Sequence, residues 1–336
     1  MAALSLSDPT RTLQWTHGRA ELQRLGGMLA PVVFRADGAR DFAPLQVAPW
    51  ADEPGADALP GILRRLRGEW PCVPFGRCDR PADLPPGWTG RLPGDDWGHG
   101  FAAHHDWQWI DTGEPLTLAL QIEPPAPLRR LTRTVRAQAD APALEVTLEI
   151  EVQQACTLPV ALHPTLRLDA GAVRLQLPAY RGGVTYPVPA EPGISRLAPD
   201  RAFDDLTAVP RADGGTLDLG RFPLAVDTEE LLQLHALDGP VELHYLDAGW
   251  SLQLDWDHTL LPDLMLWVSH RGRRHAPWNG RHLALGVEPV NGLFDLGRVS
   301  GAPAGHPLAA RHGLSLVPGE PLRLRYRLAA RPQAPA

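Results

Sequence analysis

The chain has 336 residues, with 44% apolar content and a net charge of −7, enough for one large domain or two ordinary ones. There is no basic tail, which excludes nucleic acid as the expected main partner, and no run approaches the roughly 18 apolar residues of a membrane span. All 32 basic residues are arginine, so a lysine Schiff base and a Walker-type phosphate loop are ruled out.

From the N-terminus, Met1 to Asp8 lacks a basic region followed by a long apolar stretch, so no secretory signal is expected. Thr12–Thr16 and Ala20–Leu25 flank His17-Gly18 as a hairpin, and Gly26-Gly27 leads into an apolar run from Met28 to Phe34. Ile62–Leu66 and Thr228–Leu234 read as short helices. The Pro-rich stretches 81–93 and 187–199 read as long loops. In Leu144 to Val152 every second residue is apolar, the period of a strand with one wet face. The same rhythm recurs at Val173–Leu177, Val241–Tyr245, Trp250–Trp256 and Leu322–Leu328. Strands that do not alternate with helices argue against a parallel α/β sheet. The fold class expected is all-β, a large antiparallel sandwich. One domain over 1–336 is expected, with an ordered core of about 11–330 and disorder after Ala330.

Three cysteines, Cys72, Cys78 and Cys156, are too few for a disulfide framework, and a reduced, cytoplasmic protein is expected. Three polar residues stand in marked settings. His99 lies between two glycines, His163 precedes a proline, and Glu288 precedes Pro289 after the apolar run Leu283–Val287. Read as strand-end residues, one carboxylate and two histidines could move protons on a polar substrate. The plainer alternatives are a structural glutamate and a satisfied turn histidine. His99, His104, His105 and Asp106 match no common zinc spacing, so neither metal nor cofactor is expected. The basic loop Arg271-Gly272-Arg273-Arg274-His275 is either solvated or a phosphate contact.

In motif order the chain resembles the aldose 1-epimerases, or galactose mutarotases. The resemblance rests on Gly98-His99-Gly100-Phe101, His163-Pro164-Thr165-Leu166 and Glu288-Pro289-Val290-Asn291. The first lacks the family's second glycine and upstream asparagine, and the second lacks its aromatic pair. The resemblance implies a galactose mutarotase-like supersandwich and an aldose substrate, phosphorylated or not. It implies Glu288 as base, His163 as acid and His99 as a sugar contact. Attraction between an ionised glutamate and a protonated histidine should lower the first pKa and raise the second.

A sugar site also needs aromatic faces and fixed polar groups. Of the tryptophans near these motifs, Trp267 and Trp278 are expected at the substrate, with Trp70, Trp97 and Trp107 as further candidates. Asn279, in the turn Pro277–Arg281, and Arg77, after Pro74-Phe75-Gly76, are candidate hydroxyl contacts. Two rivals stay open: a non-catalytic carbohydrate-binding protein, and a glycoside hydrolase or lyase. The latter needs a second carboxylate, with Asp96, Asp255 and Asp257 as candidates.

Overall fold

In the computed structural model, which describes residues 5–110 and 113–333, the five alternating segments are strands of a nine-stranded antiparallel sheet. Its order is Arg221–Phe222, Val173–Gln176, Val241–Tyr245, Trp250–Trp256, Leu322–Pro332, Ala143–Val152, Leu128–Ala137, Leu116–Gln121 and Gln108–Trp109. Along Ala143–Val152, the side chains of Leu144, Val146, Leu148 and Ile150 are buried, and the glutamates between them reach solvent. Leu324, Tyr326 and Leu328 follow the same rule on the neighbouring strand. Burying every second side chain of a twisted antiparallel sheet leaves one dry face for a partner layer.

That partner is an eight-stranded sheet. Its path runs Ala202–Phe203, Gly182–Thr185, Thr228–His235, Asp263–His270, Leu283–Asn291, Val160–Leu162 and Pro71–Cys72, with Thr165–Arg167 also pairing with Leu283–Asn291. Leu232, Leu234, Leu264, Leu266, Val268, Leu285 and Val287 join the dry face of the first sheet in one apolar core. The opposite face of the second sheet is covered too. Met265, Trp267 and Val290 pack there with Trp50, Trp70, Trp278 and Phe294 from the surrounding loops. A three-stranded sheet of Thr10–Trp15, Gly18–Gln23 and Leu29–Phe34 adds Leu13, Leu22 and Phe34 to the same core.

Three expectations change. Thr228–His235 is a central strand, not a helix. Both of its faces are buried, so the strand carries no apolar–polar alternation to read. Ile62–Leu66 is not an α-helix: Gly61–Leu63 makes a single 3₁₀ turn. The last strand continues through Ala330 to Pro332, pairing with Trp250–Trp256; residues 334–336 lie outside the described residues.

Candidate active site

The second sheet's outer face forms a floor whose rows follow from strand register. Glu288 pairs with Met265, which pairs in turn with Gln233. One row on, Gly286 pairs with Trp267, and Trp267 with Leu231. With a period of two, the side chains of these rows share one face. Over this floor lies an open cleft. Ile62, Leu63, Leu66, Trp70 and Phe75 wall it, and Trp267 and Trp278 contribute aromatic surface. The polar groups that reach it are His99, His163, Arg273, Glu288 and Asp295.

Glu288 sits inside the Leu283–Asn291 strand rather than at its end. His163 occupies the break between Val160–Leu162 and Thr165–Arg167, where Pro164 interrupts the ladder. The His163 Nε2 atom is 3.3 Å from Glu288 Oε1. Its other ring nitrogen, Nδ1, is 3.2 Å from the Thr165 hydroxyl. The ring stacks on Trp70, with centroids 4.1 Å apart and planes 16° from parallel. His163 is thus held on three sides.

His99 approaches His163 edge to face, with centroids 5.4 Å apart, and packs against Phe75 at 5.2 Å. Its backbone is left-handed, at φ 60°, an uncommon state for a non-glycine residue that suits a functional loop. Gly100 follows at φ 88°, and a Cβ there would stand 2.4 Å from the Val73 carbonyl oxygen. Glycine therefore lets the histidine loop lie against the Val73–Pro74 backbone. The His99 Nδ1 atom is buried and has no protein partner.

Burial decides the protonation of these groups. Desolvation, with a smaller push from Asp295, raises the Glu288 pKa well above the ordinary carboxylate value. Desolvation, reinforced by His99, lowers that of His163 well below an ordinary imidazole. His99 falls to about 3, again chiefly through burial, with His104 and nearby arginines adding to it. The expectation of an ionised pair is thereby corrected. Among the described residues no arginine pairs with Glu288 within 4 Å, and the attraction of the pair does not outweigh taking both groups out of water.

Beside this pair a second network fixes the aromatic wall. Glu229, fully buried, accepts from Trp267 Nε1 at 2.6 Å and from the Ser269 hydroxyl at 3.1 Å. It pairs with Arg273 Nε at 3.0 Å. The Arg273 guanidinium lies 4.6 Å from the Trp278 ring centroid and 5.3 Å from that of Trp267, within cation–π range. His282, stacked on Trp267 at 5.4 Å, is 2.9 Å from the Ser269 hydroxyl through Nδ1.

The cleft brings together Glu288, His163, His99, Trp267, Trp278 and Trp70. Arg77 and Asn279 are not among its lining residues. Arg77 forms a two-pronged ion pair with Asp79, at 3.2 and 2.5 Å. Its backbone N–H donates to the Asp295 carbonyl, so it stands behind the site. Asn279 caps the turn after Trp278, its backbone N–H donating to the His275 carbonyl. Trp107 is buried in the main core, and Trp97 packs on His104 and His105. Asp255 and Asp257 border a groove of the other sheet. Among the described residues no His, Cys, Asp or Glu cluster has the make-up of a metal site.

Two lining groups escaped the sequence. Asp295 accepts from the Tyr186 hydroxyl at 2.7 Å and lies half-buried beyond the turn that follows Glu288. Nothing in its local pattern distinguishes it from a loop aspartate. Arg273 stood in a run of three arginines, and sequence does not say which one turns inward.

No family model and no curated protein sequence matches the chain. Solved structures do. A candidate aldose 1-epimerase of Escherichia coli K12 superposes with a TM-score of 0.65 at 15% identity, covering 96% of this chain and 99% of that one. The Slr1438 protein of Synechocystis sp. PCC 6803 gives 0.64 at 15%, covering 99% and 100%. A galactose mutarotase-like protein of Lactobacillus casei gives 0.61 at 14%, covering 96% and 100%. The all-β fold is therefore that of the galactose mutarotase-like proteins over nearly the whole chain, as a divergent member of that fold.

Proposed function

We propose that the protein is an aldose 1-epimerase-type enzyme that interconverts the α and β anomers of an aldose. The observation that carries this reading is the 3.3 Å approach of His163 Nε2 to Glu288 Oε1 on the floor of an aromatic-walled cleft. Opening a pyranose ring requires one proton to leave the anomeric hydroxyl and one to reach the ring oxygen. Rotation about the C1–C2 bond and the reverse transfers then give the other anomer. A single carboxyl–imidazole pair can serve both transfers. The family resemblance makes Glu288 the base and His163 the acid. Each ring opening exchanges the charged pair for the uncharged one, with the proton on the carboxyl. Burial favours the uncharged form in the empty cleft. Transfer of the carboxyl proton across the 3.3 Å contact to His163 Nε2 therefore precedes ring opening and makes Glu288 the base and His163 the acid. The two forms are the two ends of one transfer, so the same pair runs opening and closure.

The remaining lining supports a sugar ring. The unpartnered Nδ1 of His99 is free to hydrogen-bond a ring or hydroxyl oxygen. Trp267 and Trp278 offer apolar faces for C–H surfaces. A neutral aldose fits better than a phosphorylated one. Each arginine of the basic loop already faces a carboxylate: Arg271 and Arg274 meet Asp227, and Arg273 meets Glu229.

Asp295 gives a second reading its footing. It shares the cleft with Glu288 and contributes to raising its pKa, and two facing carboxyls are what a glycoside hydrolase uses. The imidazole beside Glu288 favours the epimerase. The experiment is polarimetry on freshly dissolved α-anomers of a panel of neutral aldoses and their phosphates, run beside aryl glycosides. Acceleration of anomer exchange on a neutral sugar is the expected result. Aglycone release without anomer exchange would establish the hydrolase, and binding without either reaction would establish a non-catalytic sugar-binding protein.

A further inference from the structure

Gly286 lies two residues before Glu288 on the same strand, so both positions address the cleft face. Its φ lies outside the left-handed range, and the backbone there does not call for glycine. Space does. A Cβ on Gly286 would stand 2.4 Å from Glu288 Oε1 and 3.4 Å from its Cδ, and 3.0 Å from the Cβ of its cross-strand neighbour Trp267. The Oε1 atom that fills this gap is the one 3.3 Å from His163 Nε2. A glutamate flanked by a side chain at that position would have to hold its carboxyl elsewhere.

We propose that Gly286 is a positioning residue for proton transfer: the missing side chain is the space in which the Glu288 carboxyl lies back along its strand to meet His163. The proposal rests on the acid–base reading of the pair, and its structural half stands apart from it. Because Oε1 is the free end of a flexible side chain, Gly286→Ala should leave the strand in place and turn the carboxyl away. A displacement of about 1 Å at a reacting group can cost on the order of 100-fold in rate.

The test has two arms. In the first, Gly286→Ala is assayed for anomer exchange on a sugar that the wild type accelerates. The expected result is a kcat lower by about 100-fold with KM changed by less than about threefold, since the Trp267 and Trp278 rings are retained. A kcat equal to wild type overturns the proposal. The second arm is a double-mutant cycle on thermal stability, with Gly286→Ala introduced into the wild type and into Glu288→Ala. The expected result is a fall in Tm in the wild type that disappears in the Glu288→Ala background, where the new methyl finds the vacated space. An equal fall in both backgrounds, or failure to fold in both, overturns the proposal, because the conflict would then lie with Trp267 or the backbone. Failure to fold in the wild type alone, with folding rescued by Glu288→Ala, supports it. Should the wild type exchange no anomer of any sugar, the functional reading falls, and the cycle alone decides whether Gly286 sets the carboxyl's position.

Discussion

The two sheets of the sandwich bury charge in opposite ways. On the nine-stranded sheet, most charged side chains occupy the wet face and pair across strands in water: Arg323 with Glu149, Arg129 with Glu151, Arg331 with Glu242. Arg133 is an exception, buried against Glu69. On the eight-stranded sheet both faces are covered, yet the buried face opposite the core carries Glu229, Asp263, Ser269 and Glu288. Burying ionisable groups on a strand costs free energy that packing alone would not require. The eight-stranded sheet carries Glu229 and Glu288, carboxyls whose pKa burial raises, and perturbed groups concentrate at functional sites.

The sharpest way to break this comparison is to remove the carboxylate that only the covered sheet could tune. Glu288→Gln keeps size and shape, and should lower anomer exchange by about 10²–10⁴-fold while leaving the melting temperature equal to or above that of the wild type. His163→Asn should follow in the same direction. If Glu288→Gln turns over at the wild-type rate on a sugar the protein accelerates, the covered face is not where the chemistry is done.

The same contrast governs what could be read from sequence. Five of the nine strands of the wet sheet were legible, and Trp250–Trp256 and Val241–Tyr245 stand where period-two alternation placed them, but Leu128–Ala137 and Leu116–Gln121 went unread. The covered sheet was not legible in this way. Thr228–His235 reads Thr-Glu-Glu-Leu-Leu-Gln-Leu-His, with Glu229, Glu230 and Gln233 as buried as the leucines. A rule that equates charge with solvent cannot register such a strand. Glu288, His163 and His99 were visible because proline and glycine mark them. Asp295 and Arg273 have no such punctuation, and tertiary packing alone brings them to the cleft. Protonation was misjudged for a related reason: the attraction of a pair can be imagined from sequence, but the depth of its burial cannot.

Acid should separate the two sheets next. Burial lowers His99 and His282 from 6.5 to about 3 in the folded protein. A folded pKa below the unfolded one gives stability that is present above pH 6.5 and lost as pH falls toward 3. At pH 5 each group should already have cost about 2 kcal/mol relative to neutral pH. Chemical denaturation at pH 7 and pH 5 measures this. His282→Gln and His99→Gln should each flatten the fall, and an unchanged slope would mean these rings are not held neutral.

A smaller effect comes from Arg273. Arg273→Leu leaves Glu229 buried with only Trp267 and Ser269 as donors. A stranded buried charge costs roughly 3–5 kcal/mol. Here the loss should be about 2 kcal/mol, because Glu229 can take a proton instead. Burial already raises the Glu229 pKa. Stability tied to a raised carboxyl is present at low pH and lost as pH rises through the folded value. The variant's deficit should therefore grow between pH 5 and pH 8 in denaturant titrations, opposite in sign to the histidine effect. A deficit independent of pH would assign Arg273 a packing role over Trp278 instead.

The smallest effect belongs to the wet sheet, and it is the control that gives the others meaning. Arg323 and Glu149 meet at 2.6 Å, with the arginine side chain 64% exposed and the glutamate 24%. That distance is shorter than the approach of His163 to Glu288, so geometry alone would rank it the stronger contact. Solvent reverses the ranking. Exposed pairs contribute about 0–1 kcal/mol, since water screens the attraction and ordering two long side chains costs entropy. Arg323→Ala should therefore change stability by less than about 1 kcal/mol, by an amount that shrinks between 0.05 and 0.5 M salt on the order of the Debye screening expected. It should leave the rate of anomer exchange untouched. A loss of 2 kcal/mol or more, insensitive to salt, would show that this face is covered in solution, and the difference between the two sheets would then lie in what covers them.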